Sequence, residues 1–142
     1  MNACVDTIGG SCLCGAVAFV VTPPVLSMGH CHCSMCRHGH GTAYSTYCQV
    51  PAPALSVTRG NEALTAYASS AGATREFCRH CGAKLFYRAR ALPDYVWVAA
   101  GALDDDPGVR PAYHIFVADK AAWYDISDDL PQYAGFPPDV AH

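Results

Sequence analysis

Seven of the nine cysteines in this 142-residue chain fall into three tight groups. The groups are Cys12-Leu-Cys14, Cys31-His-Cys33-Ser-Met-Cys36 and Cys78-Arg-His-Cys81. Thiolates two or three residues apart can converge on one tetrahedral metal ion, whereas a disulfide within such a group would close a small, strained ring. Nine is also an odd number, so disulfides could not use every cysteine. The spacing therefore predicts thiolate metal sites, and zinc is the metal that sulfur-rich sites typically bind.

The first and last groups predict one closed, structural site. Sixty-three residues separate Cys14 from Cys78, and two turns that each present two thiolates would complete a four-sulfur shell. A metal ion shared by Cys12, Cys14, Cys78 and Cys81 would tie the N-terminal strand to a loop beyond the middle of the chain. Such a link offsets the loop entropy of non-local strand pairing.

The middle group predicts a different kind of site. Cys31, Cys33 and Cys36 supply three thiolates and have no fourth cysteine beside them. Three protein ligands with one open position are typical of a catalytic zinc ion. Two alternatives stay open: a metal-free reactive thiol at Cys33 or Cys36, or a shell closed by a nearby histidine. The candidate histidines are His30, His32, His38 and His40.

The remaining candidate groups favour structural roles. Cys48 lies in an apolar stretch and is expected to be a buried small hydrophobe, and Cys4 is assigned no role. His114 is predicted to be a hydrogen-bonded core group rather than a catalyst. Trp97 and Trp123 are expected in the core.

Basic residues cluster around the third cysteine group. Five of the nine fall within sixteen positions, namely Arg75, Arg79, Lys84, Arg88 and Arg90. Solvated faces are the simpler interpretation. The alternative is that one or two of them, or Arg37, hold the carboxylate of a small anionic substrate.

Composition limits the class of protein. Apolar residues make up 51% and charged residues 15%, which predicts one globular domain over residues 1–142. Residues 1–10 show no signal-peptide pattern and no run could span a membrane, so cytoplasmic localisation is expected, with no membrane partner. A net charge of −3 makes nucleic acid an unlikely partner.

Short β-type segments between Gly and Pro predict a mainly β fold. The predicted strands are 16–22, 42–50, 55–58, 64–68, 84–88, 95–100 and 113–117. Helices are few: Ser34 is expected to cap a turn through His38 that ends at Gly39 or Gly41, and a second is expected from Ala118 to Trp123.

Several motifs together resemble the glutathione-dependent formaldehyde-activating enzyme family, with its centromere protein V-like zinc domain. The matching segments are Gly10-Ser-Cys-Leu-Cys-Gly-Ala-Val-Ala-Phe19, Cys31-His-Cys-Ser-Met-Cys-Arg37, Phe77-Cys-Arg-His-Cys-Gly82, His114-Ile-Phe and Asp128-Asp-Leu-Pro-Gln-Tyr133. The resemblance spans roughly 10–133, and all seven grouped cysteines follow the family's order.

The resemblance implies several small coiled antiparallel sheets, stapled by a four-cysteine zinc site as in a zinc-binding nucleotide-exchange chaperone. It implies two zinc ions per chain, a structural one at Cys12, Cys14, Cys78 and Cys81 and a catalytic one at Cys31, Cys33 and Cys36. The implied activity is that of a carbon–sulfur lyase, which adds glutathione or a similar thiol to formaldehyde, or the reverse.

A second hypothesis comes from another functional class. A zinc-stabilised fold can also serve as a non-catalytic module that binds a protein or nucleic acid, because fold alone does not determine function. The net charge and the missing eighth ligand cysteine favour the enzyme. The oligomeric state does not follow from the sequence.

Overall fold

Ten strands and one α-helix form the main regular structure of residues 6–137, the part of the chain that the computed structural model describes. The helix, α1, spans Ser34–His40. The strands are β1 (Ile8–Ser11), β2 (Ala18–Val21), β3 (Ser27–Cys31), β4 (Ser45–Pro51), β5 (Leu55–Arg59), β6 (Leu64–Ser70), β7 (Ala73–Cys78), β8 (Lys84–Ala89), β9 (Tyr95–Ala99) and β10 (His114–Ile115). Single 3₁₀ turns occupy Ala52–Ala54, Asn61–Ala63, Ala100–Ala102 and Val117–Asp119. The prediction of a mainly β fold is confirmed.

The strands form two sheets. One has three strands in the order β1-β2-β5, and the other has seven in the order β10-β3-β4-β9-β8-β7-β6. All pairings are antiparallel except the short parallel pair of β3 and β10, which sets His114 beside His30 and Ile115 beside Cys31. The last short strand thereby borders the segment that carries the middle cysteine group.

The sheets share one apolar core. Phe19 of β2 meets Phe86 of β8 edge to face, with ring centroids 5.0 Å apart. Fully buried valines and Leu85 surround this pair, and Cys48 is buried among them as predicted. Burying such side chains stabilises the fold by about 1.5–3 kcal/mol each. Trp123 was expected in the core but is 73% exposed, so that prediction is wrong.

Three strands were not predicted from the sequence. β1 contains two glycines, β3 lacks β-branched residues, and β7 carries the charged pair Arg75 and Glu76. Each has low intrinsic strand preference and is held by its ladder partners, which is how tertiary context overrides local propensity. The strand predicted over 113–117 is shortened to His114–Ile115 because Phe116 has a left-handed φ of 56°.

The helix predictions are corrected in two places. The N-cap of α1 is Cys33, not Ser34, while of the two predicted ends Gly41 is confirmed as the C-cap, with φ of 65°. The helix expected from Ala118 to Trp123 is only the 3₁₀ turn Val117–Asp119, because so short a segment has little intrinsic helix stability. Within residues 6–137, no helix has the length and apolar character needed to cross a membrane.

Candidate metal centres

The first and third cysteine groups together form a four-sulfur group where the ends of β1 and β7 meet. Cys12 and Cys14 follow β1, while Cys78 ends β7 and Cys81 follows it. All four Sγ atoms lie within 4.8 Å of one another. The Sγ atom of Cys14 is 3.7 Å from that of Cys12 and 3.8 Å from that of Cys78. A tetrahedral zinc ion with sulfur at about 2.3 Å requires sulfurs roughly 3.8 Å apart, so the group fits a zinc ion.

The two loops of this group have the same backbone pattern. The N–H of Cys12 donates to the carbonyl of Val17, and the N–H of Cys78 donates to that of Ala83, both at 3.0 Å. A further N–H lies 3.3 Å from each sulfur, from Val17 to Cys12 and from His80 to Cys78. Backbone N–H groups aimed at sulfur stabilise the thiolate over the thiol. Each loop is therefore shaped to present metal ligands.

A glycine ends each loop. Gly15 follows Cys14 with φ of 80°, and Gly82 follows Cys81 with φ of 78°. A side chain strongly disfavours this left-handed conformation, whereas glycine adopts it freely. The glycines turn the chain back at once, which allows both sulfurs of a loop to face the same point.

The pKa values within this group differ widely from one sulfur to the next. Backbone N–H groups of Cys14 and Ala83 lower the pKa of Cys81 to about 6. The N–H of Ala16 acts in the same direction on Cys14, but burial and the three neighbouring sulfurs raise the pKa of Cys14 to about 11. The four thiols therefore do not all ionise near neutral pH by themselves, and a bound divalent cation would supply the missing charge balance.

The middle group lies at a strand–helix junction. Cys31 ends β3, Cys33 caps α1, and Cys36 is buried in the first turn, with the three Sγ atoms within 4.8 Å of one another. The N–H of Cys36 donates to the Sγ atom of Cys33 at 3.3 Å. Formation of the helix thus also assembles the group. The structure brings together all seven predicted cysteines in the two predicted sets.

Charge is unevenly shared within the middle group. Hydrogen bonds with Cys31, Cys33 and Ser45, and after these the charge of Arg75, lower the pKa of Cys36 far below that of a free thiol. Hydrogen bonding with Cys33 and Cys36, together with burial, raises the pKa of Cys31 well above that of a free thiol. Only part of the group therefore ionises unaided, which again fits a site for a cation.

The histidines near the middle group are engaged elsewhere. None of them supplies a ligand atom within the cluster, among the residues that the structure describes. Their ring hydrogen bonds are His30 Nδ1 to Thr46 Oγ1 (2.7 Å), His32 Nε2 to His114 Nδ1 (2.8 Å), His38 Nδ1 to the Ser34 carbonyl (2.8 Å) and His40 Nε2 to Tyr47 Oη (2.9 Å). This arrangement favours an open fourth position.

A buried histidine pair links the group to the C-terminal segment. His114 is fully buried and hydrogen-bonded, as predicted, and its Nε2 lies 3.0 Å from Asp128 Oδ2. The Nε2–H group of His114 donates a hydrogen bond to the ionised Asp128, so Nδ1 of His114 accepts a hydrogen bond from Nε2–H of His32. These hydrogen bonds fix the ring of His32, which is the residue between Cys31 and Cys33 in the sequence. In the sequence, the only signal for these hydrogen bonds was the occurrence of His114-Ile-Phe together with Asp128.

The basic residues divide between different roles. Arg37 donates to the carbonyl of Asp119, and Arg88 pairs with Glu76 at 3.0 Å. Arg75 is 8% exposed, and its Nη1 and Nη2 atoms lie 3.7 and 3.8 Å from the Sγ atom of Cys36. Arg75 was predicted either to lie on a solvated face or to hold a substrate carboxylate, and no local signal marks it as a neighbour of a cysteine 39 positions away.

A cleft of about 540 Å³ opens beside the four-sulfur group. Cys12 and Leu13 line it, as does Ser45, which pairs with Cys31 in the β3–β4 ladder. Lys84 and Asp104 add one charge of each sign to its wall. The volume suits a small organic molecule.

Comparison with known proteins agrees with this geometry. A family model described as glutathione-dependent formaldehyde-activating enzyme matches residues 7–119. A Halomonas elongata protein provisionally named as such an enzyme is 33% identical over 138 residues, which cover 90% of this chain and 87% of that protein. A Schizosaccharomyces pombe protein named as an uncharacterized lyase is 35% identical over 121 residues, which cover 84% and 85%.

A solved structure has a similar fold. The crystal structure of a Rhodobacter sphaeroides protein superposes with a TM-score of 0.58 at 32% sequence identity. The match covers 72% of this chain and 91% of that one.

Proposed function

Because this chain belongs to the glutathione-dependent formaldehyde-activating enzyme family, we propose that it is a zinc-dependent carbon–sulfur lyase. It would join a small, glutathione-like thiol to an aldehyde such as formaldehyde, or catalyse the reverse. The observation that carries the proposal is the three-sulfur group at Cys31, Cys33 and Cys36, with the nearby histidines hydrogen-bonded elsewhere. The names of two relatives, one a formaldehyde-activating enzyme and the other a lyase, support the same reaction class.

Two zinc ions per chain are part of the proposal. Cys12, Cys14, Cys78 and Cys81 would hold a structural ion, and Cys31, Cys33 and Cys36 a catalytic one. A zinc ion with an open position supplies Lewis acidity, which lowers the pKa of a thiol or polarises a carbonyl oxygen. Cys48, with its pKa raised to about 11 by burial, lies outside both sets, and Cys4 lies outside the described residues.

In the synthetic direction the thiol sulfur forms a bond to the carbonyl carbon. The carbonyl π pair becomes an alkoxide that takes up the proton released by the thiol, and the product is a hydroxymethyl thioether. The reverse reaction breaks the carbon–sulfur bond and returns the proton to sulfur. The contribution of the cleft would be to hold both reactants together, because fixed proximity removes much of the entropic cost of a bimolecular step.

The charges of the cleft favour a thiol with ends of opposite sign. The Lys84 ammonium packs over the ring of Phe77, 5.2 Å from its centroid, and would bind a carboxylate. Asp104 lines the same cleft and would bind an ammonium group. A γ-glutamyl peptide thiol carries both groups, which supports a glutathione-like substrate.

The test is turnover of thiol–aldehyde adducts. Exchange of the adduct methylene would be followed by NMR for formaldehyde with a panel of thiols, with zinc measured on the same samples. Catalysis should be lost in Cys36→Ala and kept in Cys48→Ala, a buried cysteine outside both groups. Full zinc loading without acceleration of any adduct would refute the lyase and favour the non-catalytic zinc module.

A further inference from the structure

Arg75 is a buried cation with an unusual partner. Its side chain is 8% exposed, and no carboxylate forms an ion pair with it within residues 6–137. A buried charge without a counter-ion is costly to a fold, by several kcal/mol. The neighbouring group that can carry a negative charge is the Sγ atom of Cys36, which lies 3.7 and 3.8 Å from the two terminal nitrogens of the guanidinium.

Two tyrosines hold the guanidinium in this position. The Tyr87 ring lies under it, with the central carbon 5.1 Å from the ring centroid. Arg75 and Tyr87 are direct partners in the β7–β8 ladder, so the stacking follows from strand register. Nη1 also lies 3.5 Å from the hydroxyl of Tyr47, which in turn bonds His40. The cation is therefore fixed against the sulfur rather than free to move into solvent.

We propose that Arg75 is a built-in counter-charge of the Cys31, Cys33 and Cys36 group. It positions the sulfur of Cys36 and cancels one thiolate charge, so that the group accepts an anionic thiol. Three thiolates around a divalent cation leave one net negative charge, and the guanidinium brings this sum to zero. Without Arg75, an incoming thiol that carries carboxylates would meet a like charge.

The counter-charge role of Arg75 and the preference for an anionic thiol rest on different observations. The counter-charge follows from the contacts of Arg75 alone. The preference for an anionic thiol rests on the proposed function. Arg75 acts through Cys36 and is therefore a positioning residue.

Zinc affinity tests the counter-charge role. Competition with a chelator, read at the weaker of the two zinc sites, should show about 10–100-fold weaker binding in Arg75→Met, the usual cost of losing a group that supports a metal ligand. Arg75→Lys keeps the charge without the planar fork and should lose less. Arg88→Met, which removes a cation paired with Glu76, is the matched control and should bind as wild type.

The absorption spectrum of the cobalt-substituted protein provides a second test of the counter-charge. The sulfur-to-cobalt charge-transfer band of the cobalt-substituted protein should shift in Arg75→Met and not in Arg88→Met. Unchanged zinc affinity and an unchanged band in Arg75→Met would overturn the counter-charge. If Arg75→Met does not fold, Arg75→Gln replaces it, and if neither folds, wild-type zinc affinity in Arg75→Lys would overturn the positioning of Cys36.

Kinetics test the preference for an anionic thiol. In Arg75→Met, KM for glutathione should rise several-fold more than KM for uncharged 2-mercaptoethanol. An equal rise for both thiols would refute the preference for an anionic thiol. Absence of turnover in wild type would refute the proposed function and the thiol preference built on it, while the zinc measurements would still decide the counter-charge.

Discussion

Replacing Cys78 by alanine should destabilise the fold far more than the same replacement at Cys48. The two side chains are 0% and 1% exposed and belong to the same core, so both variants lose one buried sulfur atom. Only Cys78 lies against other sulfurs. The difference between the variants therefore isolates what the four-sulfur group contributes.

The expected size follows from the loop that the group closes. A link between Cys14 and Cys78 spans sixty-three intervening residues, and the chain-entropy relation gives about 4 kcal/mol for a loop of that length. The link from Cys31 to Cys36 spans four residues and gives about 2 kcal/mol by the same relation. Because the free energy of unfolding of a domain is only about 5–15 kcal/mol, loss of the link between Cys14 and Cys78 would remove much of it.

Urea unfolding followed by circular dichroism would measure the differences, with zinc present and after chelation. Cys78→Ala should be about 4 kcal/mol less stable than Cys48→Ala with zinc, and Cys36→Ala should fall between them. Chelation should bring wild type down toward Cys78→Ala, since both then lack the link. The reasoning is refuted if Cys78→Ala equals Cys48→Ala in zinc, or if Cys36→Ala costs more than Cys78→Ala.

Three further predictions concern metal content, the cleft and acid stability. Native mass spectrometry of zinc-supplied protein should show two ions per chain and one in Cys36→Ala; one ion in both would contradict the two-site proposal. Lys84→Met should raise KM about tenfold for a carboxylate-bearing thiol, the value of one charge-assisted contact, and leave 2-mercaptoethanol unaffected; equal effects would place the carboxylate elsewhere. Burial, and then the charge of Arg75, lower the pKa of His40 to about 4 from 6.5. As the pH falls from 6.5 to about 4, His40 binds a proton in the unfolded chain but not in the folded chain, so the free energy of unfolding should decrease. His40→Asn should flatten that decline in urea titrations, and an unaltered slope would exclude His40 as a cause.

Local chemistry was sufficient to predict several features from the sequence alone. Sulfurs separated by one or two residues in a tight turn have few alternatives to convergence, so Cys12 with Cys14, and Cys78 with Cys81, could be recognised as pairs. That the two pairs meet, as the grouping predicted, is now seen in the sulfur distances. Strands rich in β-branched and aromatic residues, such as Tyr95–Ala99, were likewise predicted because side-chain shape favours them locally.

Tertiary structure alone decided the features that depend on non-local register. β3 and β7 have weak strand propensity and exist through their neighbours, yet β3 ends at Cys31 and β7 carries Arg75. No spacing rule relates Arg75 to Cys36, because their approach depends on how β7 and α1 pack in three dimensions. The sequence by itself thus determined which residues could bind a metal, through short-range geometry. The folded chain determined which charge faces the metal-binding group, because that contact depends on pairings between strands far apart in sequence.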